Sequence, residues 1–181
     1  AKARLQAPML CRHLASVFGP NPPCATVLGL VEQESAFNAD ALSRVGAKGP
    51  GQFMPKTAAS MCKSYPNVLC PAKPNDWEWS AKAIAYLLKE SMDRLGSVTA
   101  SECSAGLMSL SEYNGGPTAL ARERALCQVA GGCDSKMWFF NVELQKSRAD
   151  WAFEENRDYV MKVYTRSLRF AAAGMGRAWC Q

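Results

Sequence analysis

Apolar residues recur along most of the chain at intervals of three and four, and strict alternation is not sustained over any strand-length window, so the pattern predicts helices. A first helix occupies much of the stretch before Gly19-Pro20. The Asn21-Pro22-Pro23 break leads into a second, with Val27, Leu30, Val31 and Glu34 on one face. Small residues and glycine from Asn38 to Gly51 predict a loop, after which Pro55 opens a short helix with Ala58 and Met61 inward. Another loop, from Tyr65 to Asn75, ends at Asp76. That residue is placed to N-cap a helix turning Ala81, Ile84, Leu88, Met92 and Leu95 inward until Gly96 stops it. A helix from Ser101 carries Leu107 and Leu110 and stops at Asn114-Gly115-Gly116-Pro117, with Tyr113 just before the stop. A helix near Thr118 to Gln128 and a Gly131-Gly132 turn follow. The last long helix has Val160, Val163, Tyr164, Leu168 and Ala171 as its apolar stripe, and the fold class is all-α.

The length of 181 residues suits one domain, 1–181, and no repeat, linker or charge block divides it. An apolar fraction of 48 % with 20 % charged residues describes a chain that packs a core. No apolar run approaches the ~20 residues that cross a bilayer, so no stable membrane insertion is expected. Ala1 to Leu10 lacks the apolar stretch of a signal peptide, and any export signal is expected to have been removed or never included. The net charge of +5 suits any polyanion, but the basic residues are scattered, Arg122 and Arg124 being the densest pair, and no nucleic-acid partner is expected.

Eight cysteines, Cys11, Cys24, Cys62, Cys70, Cys103, Cys127, Cys133 and Cys180, suggest disulfides and an oxidising compartment. Buried reduced thiols are the competing reading. With no C-x-x-C and His13 the only histidine, zinc spacings are missing, and neither metal nor cofactor is expected. Cys62 with Cys70, and Cys127 with Cys133, flank short loop-like stretches and are the pairs expected to bridge.

The informative oddity is Glu34, an ionisable group ending an apolar stripe. Partial burial there disfavours the carboxylate and favours a proton-holding general acid. Glu32, about 200° around the helix, is expected to be solvated. From pattern alone, the simpler reading of Glu34 is a carboxylate paired with an arginine or capping a loop. A Ser/His/Asp or Cys/His scheme would rest entirely on His13, and phosphate-binding glycine motifs are absent. A two-carboxylate glycosidase needs a partner, for which Asp40, then Glu112, Glu154 or Glu155, are the candidates.

The segment Glu34-Ser35-Ala36-Phe37-Asn38, then Ala41, Ser43 and Gly46-Ala47-Lys48-Gly49-Pro50-Gly51-Gln52-Phe53-Met54-Pro55 with Thr57-Ala58, resembles the signature of the soluble lytic transglycosylases. That pattern runs E-S-x-F-N, a serine, then G-A-x-G-L-M-Q-x-M-P-x-T-A. Tyr113-Asn114-Gly115-Gly116 resembles the family's A-Y-N-A-G, and Glu155-Asn156-Arg157-Asp158-Tyr159-Val160 its E-T-R-x-Y-V, in the expected order. Pro50 and Gly51 replace the usual Leu and Met, and Asn156 replaces Thr.

The resemblance spans roughly Cys24 to Val163 and implies a goose-lysozyme-like helical domain. It implies that Glu34 protonates the oxygen between N-acetylmuramic acid and N-acetylglucosamine, then deprotonates the muramoyl C6 hydroxyl, giving a 1,6-anhydro sugar. Gln52 and Met54 would line the saccharide cleft, Tyr113 and Asn114 orient the sugar, Glu155 and Tyr159 complete the floor, and Ser43 match the family's serine. Each has a plainer reading, Met54 as core, Asn114 as a helix cap, Tyr113 as a packed aromatic, Glu155 in a surface ion pair and Ser43 as a loop tie. The expected partner is the peptidoglycan glycan strand, and the expected setting is periplasmic or otherwise extracytoplasmic. The origins consistent with this are an enzyme serving a secretion or conjugation apparatus and a phage-encoded lysin. The rivals are a hydrolytic muramidase on the same fold, with Asp40 as base, and a weakly catalytic wall-binding assembly protein.

Overall fold

The computed structural model describes residues 1–181. Eight α-helices and one short 3-10 helix follow in order, and no strand forms. They are α1 (Lys2–Phe18), α2 (Cys24–Ser35), α3 (Pro55–Ser64), α4 (Pro66–Leu69), α5 (Trp77–Gly96), α6 (Glu102–Gly115), α7 (Pro117–Val129), η1 (Val142–Leu144) and α8 (Asp150–Ala172). The caps agree with the residues that set them. Asp76 accepts the Trp79 N–H at 2.8 Å, Ser101 accepts the Ser104 N–H at 3.1 Å, and Pro55 and Pro117 occupy first turns, where a missing N–H costs nothing. The sequence pattern misses α4 and η1, because a single turn carries no periodicity to read.

The chain divides into two compact units, and neither is a single stretch. One comprises Ala1–Leu87 with Thr165–Ala178, the other Leu88–Tyr164 with Trp179–Gln181. In the first unit, α1 packs on α2 and α3 on α4. Every residue of α2 from Cys24 to Val31 is buried, so this helix is apolar all round and forms the centre of the unit, rather than presenting one stripe. That corrects the expectation for Glu32. Its outer face meets arginines, and its carboxylate pairs with Arg166 Nε at 3.2 Å and with Arg169. The C-terminal segment is laced onto the same helix, since the Ala25 N–H donates to the Arg177 carbonyl at 2.9 Å.

In the second unit α6 plays the matching part, with Ser104 to Ser111 wholly buried, and α7 packs on both α6 and η1. Gly106 lies against the Trp179 ring, where a Cβ would come within 2.5 Å. The buried side of α8 in this unit is Asn156, Tyr159, Val160 and Val163, with Tyr164 only half-buried. The predicted stripe omits Asn156, because a polar residue does not count toward an apolar pattern, and Tyr159, which the motif assigns to the cleft floor.

All eight cysteines are paired: Cys11–Cys24, Cys62–Cys70, Cys103–Cys180 and Cys127–Cys133. The two short-loop bridges expected from sequence are among them. No thiol is left to serve as a nucleophile or metal ligand.

Candidate active site

Glu34 lies in the last turn of α2 and is half-buried. The helix ends abruptly after it. Ala36 and Phe37 both take left-handed backbone angles, φ 49° and 59°, and the Ala36 N–H closes on the Glu32 carbonyl at 3.1 Å. Two consecutive non-glycine residues in this region are costly and persist only where packing holds them. Here the buried Phe37 ring meets Phe170 edge-on, with centroids 6.3 Å apart. Ser35 Oγ accepts the Asn38 N–H at 3.3 Å and completes the turn, so the E-S pair couples the acid to the start of the loop.

The loop from Asn38 to Met54 is held by its own motif residues. Ser43 Oγ accepts the Ala47 N–H at 2.9 Å, while the Ser43 N–H donates to the Ala47 carbonyl. Gln52, itself at φ 49°, donates both amide hydrogens inward, to Ala41 O at 3.2 Å and Gly49 O at 2.9 Å. Lys48 and Phe53 exchange backbone bonds, and Phe53 packs edge-on against Trp79 at 5.2 Å. Gly49 has φ 77°, and a Cβ there would fall 1.7 Å from the Pro74 carbonyl oxygen, so only glycine fits. Ser43 and Gln52 thus meet in one folded loop as its ties. Met54 follows it, 40 % exposed, and is not core. Asp40 is exposed on the same loop, its N–H bonded to Asn38 Oδ1.

The other motif residues belong to the second unit. Tyr113 is half-buried and Asn114 exposed at the end of α6; Glu155 is exposed and Tyr159 buried on α8. Asn114 and Glu155 come together on one cavity of about 320 Å³, whose other walls are Gly115, Ala119, Arg148, Trp151 and Ala152. Asn114 is fixed by a buried neighbour. Asn156 Nδ2 donates to Asn114 Oδ1 at 2.8 Å and to the Ser111 carbonyl at 3.0 Å, and Asn156 Oδ1 accepts from Ser111 Oγ and Arg157 Nη1.

Sequence reasoning missed the charge cluster beneath this wall. Glu123 is fully buried and receives Arg148 Nε at 2.8 Å, Arg148 Nη2 at 3.1 Å and Arg157 Nη2 at 2.9 Å. Arg157 also donates to three carbonyls, of Val142, Glu143 and Gln145, and lies over the rings of Trp138 and Phe153. Burial pulls its guanidinium below the ordinary value, and Glu123 opposes that. A signal existed in the sequence: Leu120, Glu123 and Cys127 form an inward stripe interrupted by an acid, as in α2. At Glu123 the plain reading, a carboxylate paired with arginine, is the right one.

Two of the remaining alternatives are occupied, and Glu154 is exposed on α8. Glu112 is bonded to Ser91 Oγ and Arg94 Nη2, and His13 Nε2 to Glu78.

The sequence pattern of the transglycosylase SLT domain matches residues 19–129. Among solved structures, the 70 kDa soluble lytic transglycosylase from Escherichia coli superposes with a TM-score of 0.61 at 23 % identity, covering 93 % of this chain and 25 % of that one. An inactive glutamate-to-glutamine mutant of the lytic transglycosylase Slt from Pseudomonas aeruginosa gives 0.58 at 19 % identity, covering 96 % and 25 %. At these identities the likeness is one of fold, and the chain spans about a quarter of the length of either protein.

Proposed function

The chain belongs to the transglycosylase SLT family, and from that premise we propose that it cleaves the β-1,4 bond between N-acetylmuramic acid and N-acetylglucosamine in peptidoglycan, with Glu34 as both acid and base. The observation that carries this reading is the position of Glu34. It is a half-buried carboxyl at a helix end whose strained exit leads straight into the loop tied by Ser43 and Gln52.

In the proposed reaction the Glu34 carboxyl gives its proton to the glycosidic oxygen as the bond from the muramoyl C1 to that oxygen breaks, and the N-acetylglucosamine side leaves with a free C4 hydroxyl. The substrate's own acetamido oxygen stabilises the cationic C1. The Glu34 carboxylate then takes the C6 hydroxyl proton as O6 bonds to C1, so the acid is regenerated and no water is consumed. One protein carboxylate suffices for this route. A muramidase would need a second, and Glu112 is already committed to Arg94 and Ser91.

In this proposal Met54, exposed at the loop's end, and Tyr113, Asn114, Glu155 and Tyr159 contact the glycan. Ser43 and Gln52 act by holding the loop. Four disulfides support an extracytoplasmic setting.

Glu34→Gln keeps the side-chain shape and removes the proton donor, so it is expected to abolish clearing of purified peptidoglycan while retaining the circular dichroism spectrum. Retention of more than a few per cent of the activity rejects the assignment. Mass spectra of the products of the unaltered chain are expected to show muropeptides lighter by one water, without new reducing ends. Reducing ends from the outset would favour a muramidase using Asp40.

A further inference from the structure

The backbone leaves α2 in a conformation that its own residues disfavour. A helix that ends in left-handed geometry ordinarily places glycine or asparagine there, and here Ala36 at φ 49° and Phe37 at φ 59° take that part. The Ala36 N–H bonds the Glu32 carbonyl at 3.1 Å and the Asn38 N–H the Ser35 carbonyl at 3.0 Å, but neither bond removes the steric cost of the two Cβ atoms. Contacts from outside the turn must hold it. Glu34 stands in the last turn of α2, so whatever holds the exit also sets the direction of its carboxyl.

Those contacts come from the end of α8 that belongs to the same compact unit. Phe170, 7 % exposed, meets the Phe37 ring, 8 % exposed, at an interplanar angle of 89°. The preceding residue, Arg169, carries its guanidinium 4.9 Å from the centroid of the Phe170 ring and donates through Nη2 to the Glu32 carboxylate. Arg166 Nε reaches the same carboxylate oxygen at 3.2 Å. A closed circuit results. The Glu32 side chain holds Arg169, Arg169 lies over Phe170, Phe170 abuts Phe37, and Ala36, next to Phe37, returns to the Glu32 carbonyl. Glu34 lies inside the circuit, two positions after Glu32 and three before Phe37, and none of Glu32, Arg166, Arg169 and Phe170 falls within the three motifs.

We propose that Arg169 and Phe170 are positioning residues for Glu34, acting through Glu32 and Phe37 to hold the left-handed exit of α2. The proposal rests on the reading of Glu34 as acid and base and concerns how the carboxyl is aimed. Without the circuit, Ala36 and Phe37 relax toward negative φ and the last turn of α2 opens. The carboxyl then leaves the narrow range of directions from which it can deliver a proton, and a displacement of about 1 Å in a reacting group can lower a rate on the order of a hundredfold. The ring pair is buried, whereas the Arg169 and Glu32 side chains are 60 % and 27 % exposed, so Phe170 carries the larger share.

The test uses the full chain and soluble, uncross-linked peptidoglycan strands, with rates measured well below each variant's Tm. Phe170→Leu is expected to lower kcat about tenfold and Arg169→Gln about threefold. Arg169→Lys, which keeps a cation for both Glu32 and the ring, is expected to stay within about twofold of the unaltered chain. The two losses act through one circuit, so the double variant is expected to cost little more than Phe170→Leu alone. Placed in the Glu34→Gln background, the same changes are expected to leave strand affinity within about twofold. In hydrogen exchange followed by NMR, the Ala36 amide is expected to exchange about tenfold faster in Phe170→Leu, while the Leu28 amide at the centre of α2 is unchanged. Ser101→Ala, which lowers stability in the other unit, is expected to leave kcat and the Ala36 amide as they were.

An unchanged kcat in Phe170→Leu and Arg169→Gln overturns the proposal, and so does a loss that Ser101→Ala reproduces or that weaker strand affinity accounts for. Unchanged exchange at Ala36 overturns it as well. Should Phe170→Leu fail to fold, Arg169→Gln and Glu32→Gln, neither of which alters a fully buried side chain, decide by the same readouts. A chain that never cleaves peptidoglycan rejects the enzymatic reading, and the Ala36 amide still reports whether the circuit holds the turn. A cleaving chain whose variants keep their kcat rejects the positioning role only.

Discussion

Replacing Glu123 by glutamine tests whether the second unit is built around a neutralised charge cluster. The carboxylate accepts three charged hydrogen bonds, from Arg148 Nε, Arg148 Nη2 and Arg157 Nη2, and the side chains involved are 0 %, 10 % and 14 % exposed. Glutamine preserves the shape and one oxygen, but its NH2 points at a guanidinium that also only donates. Two arginines then stay buried with no counter-charge. Breaking such a buried pair from one side costs about 3–5 kcal/mol. Arg157 keeps its carbonyl partners at Val142, Glu143 and Gln145, which places the expected loss toward the lower end of that range. For a chain of this size each kcal/mol lowers Tm by about 2–4 °C, so a fall of ~6–12 °C is expected for ~3 kcal/mol. Thermal melts by circular dichroism, with urea titrations for the free energy, measure it. The internal control is Asp93→Asn, which breaks the exposed pair with Lys89 and is expected to change stability by no more than ~0.5 kcal/mol. A loss at Glu123 below about 1 kcal/mol would refute the argument, since it would mean that the two guanidiniums are as well solvated as surface ones.

Ser101→Ala removes the hydroxyl that accepts the Ser104 N–H at the start of α6 and is expected to cost about 1 kcal/mol in urea titrations. Gly49→Ala places a Cβ 1.7 Å from the Pro74 carbonyl at a left-handed φ, and is expected to destabilise the chain by at least ~2 kcal/mol in the same titrations; a wild-type Tm would refute this. Thiol titration of the denatured, unreduced chain is expected to find no free thiol, and eight after reduction; free thiols in the unreduced sample would break the pairing scheme.

The long helices were legible because each combines an apolar period with a physical stop. Asp76 and Gly96 bracket α5, and Ser101 and the Gly115-Gly116-Pro117 run bracket α6. What periodicity could not supply was depth. A stripe on α2 looks the same whether the helix lies on a surface or is surrounded, so the pattern predicts a solvated Glu32 where two arginines from α8 pair with it. The motif residues are legible by resemblance, but their hydrogen-bond partners need coordinates. Ser43 Oγ and Gln52 Nε2 bond within the loop itself. Asn156, where the motif has threonine, proves to be the buried partner that holds Asn114. A hydrogen-bond partner 42 positions away leaves no local mark in a sequence.

The Cys103–Cys180 bridge changes what a cut in the chain would do. It spans 77 positions, against 13, 8 and 6 for the others, and by chain-entropy reasoning a ring of that size removes about 4.5 kcal/mol of disorder from the unfolded ensemble. A peptide bond severed between Cys103 and Cys180 leaves one covalent molecule, with both ends of the break tethered. The ring encloses Tyr113, Asn114, Glu155 and Tyr159, together with every residue of the Glu123 cluster. Glu34 and the loop after it lie in the stretch between Cys24 and Cys62, which no bridge encircles, so a single nick there frees an N-terminal fragment. Protease fragments run with and without reductant distinguish the two outcomes directly. In surroundings that hold proteases, the polypeptide carrying Glu34 has no covalent safeguard.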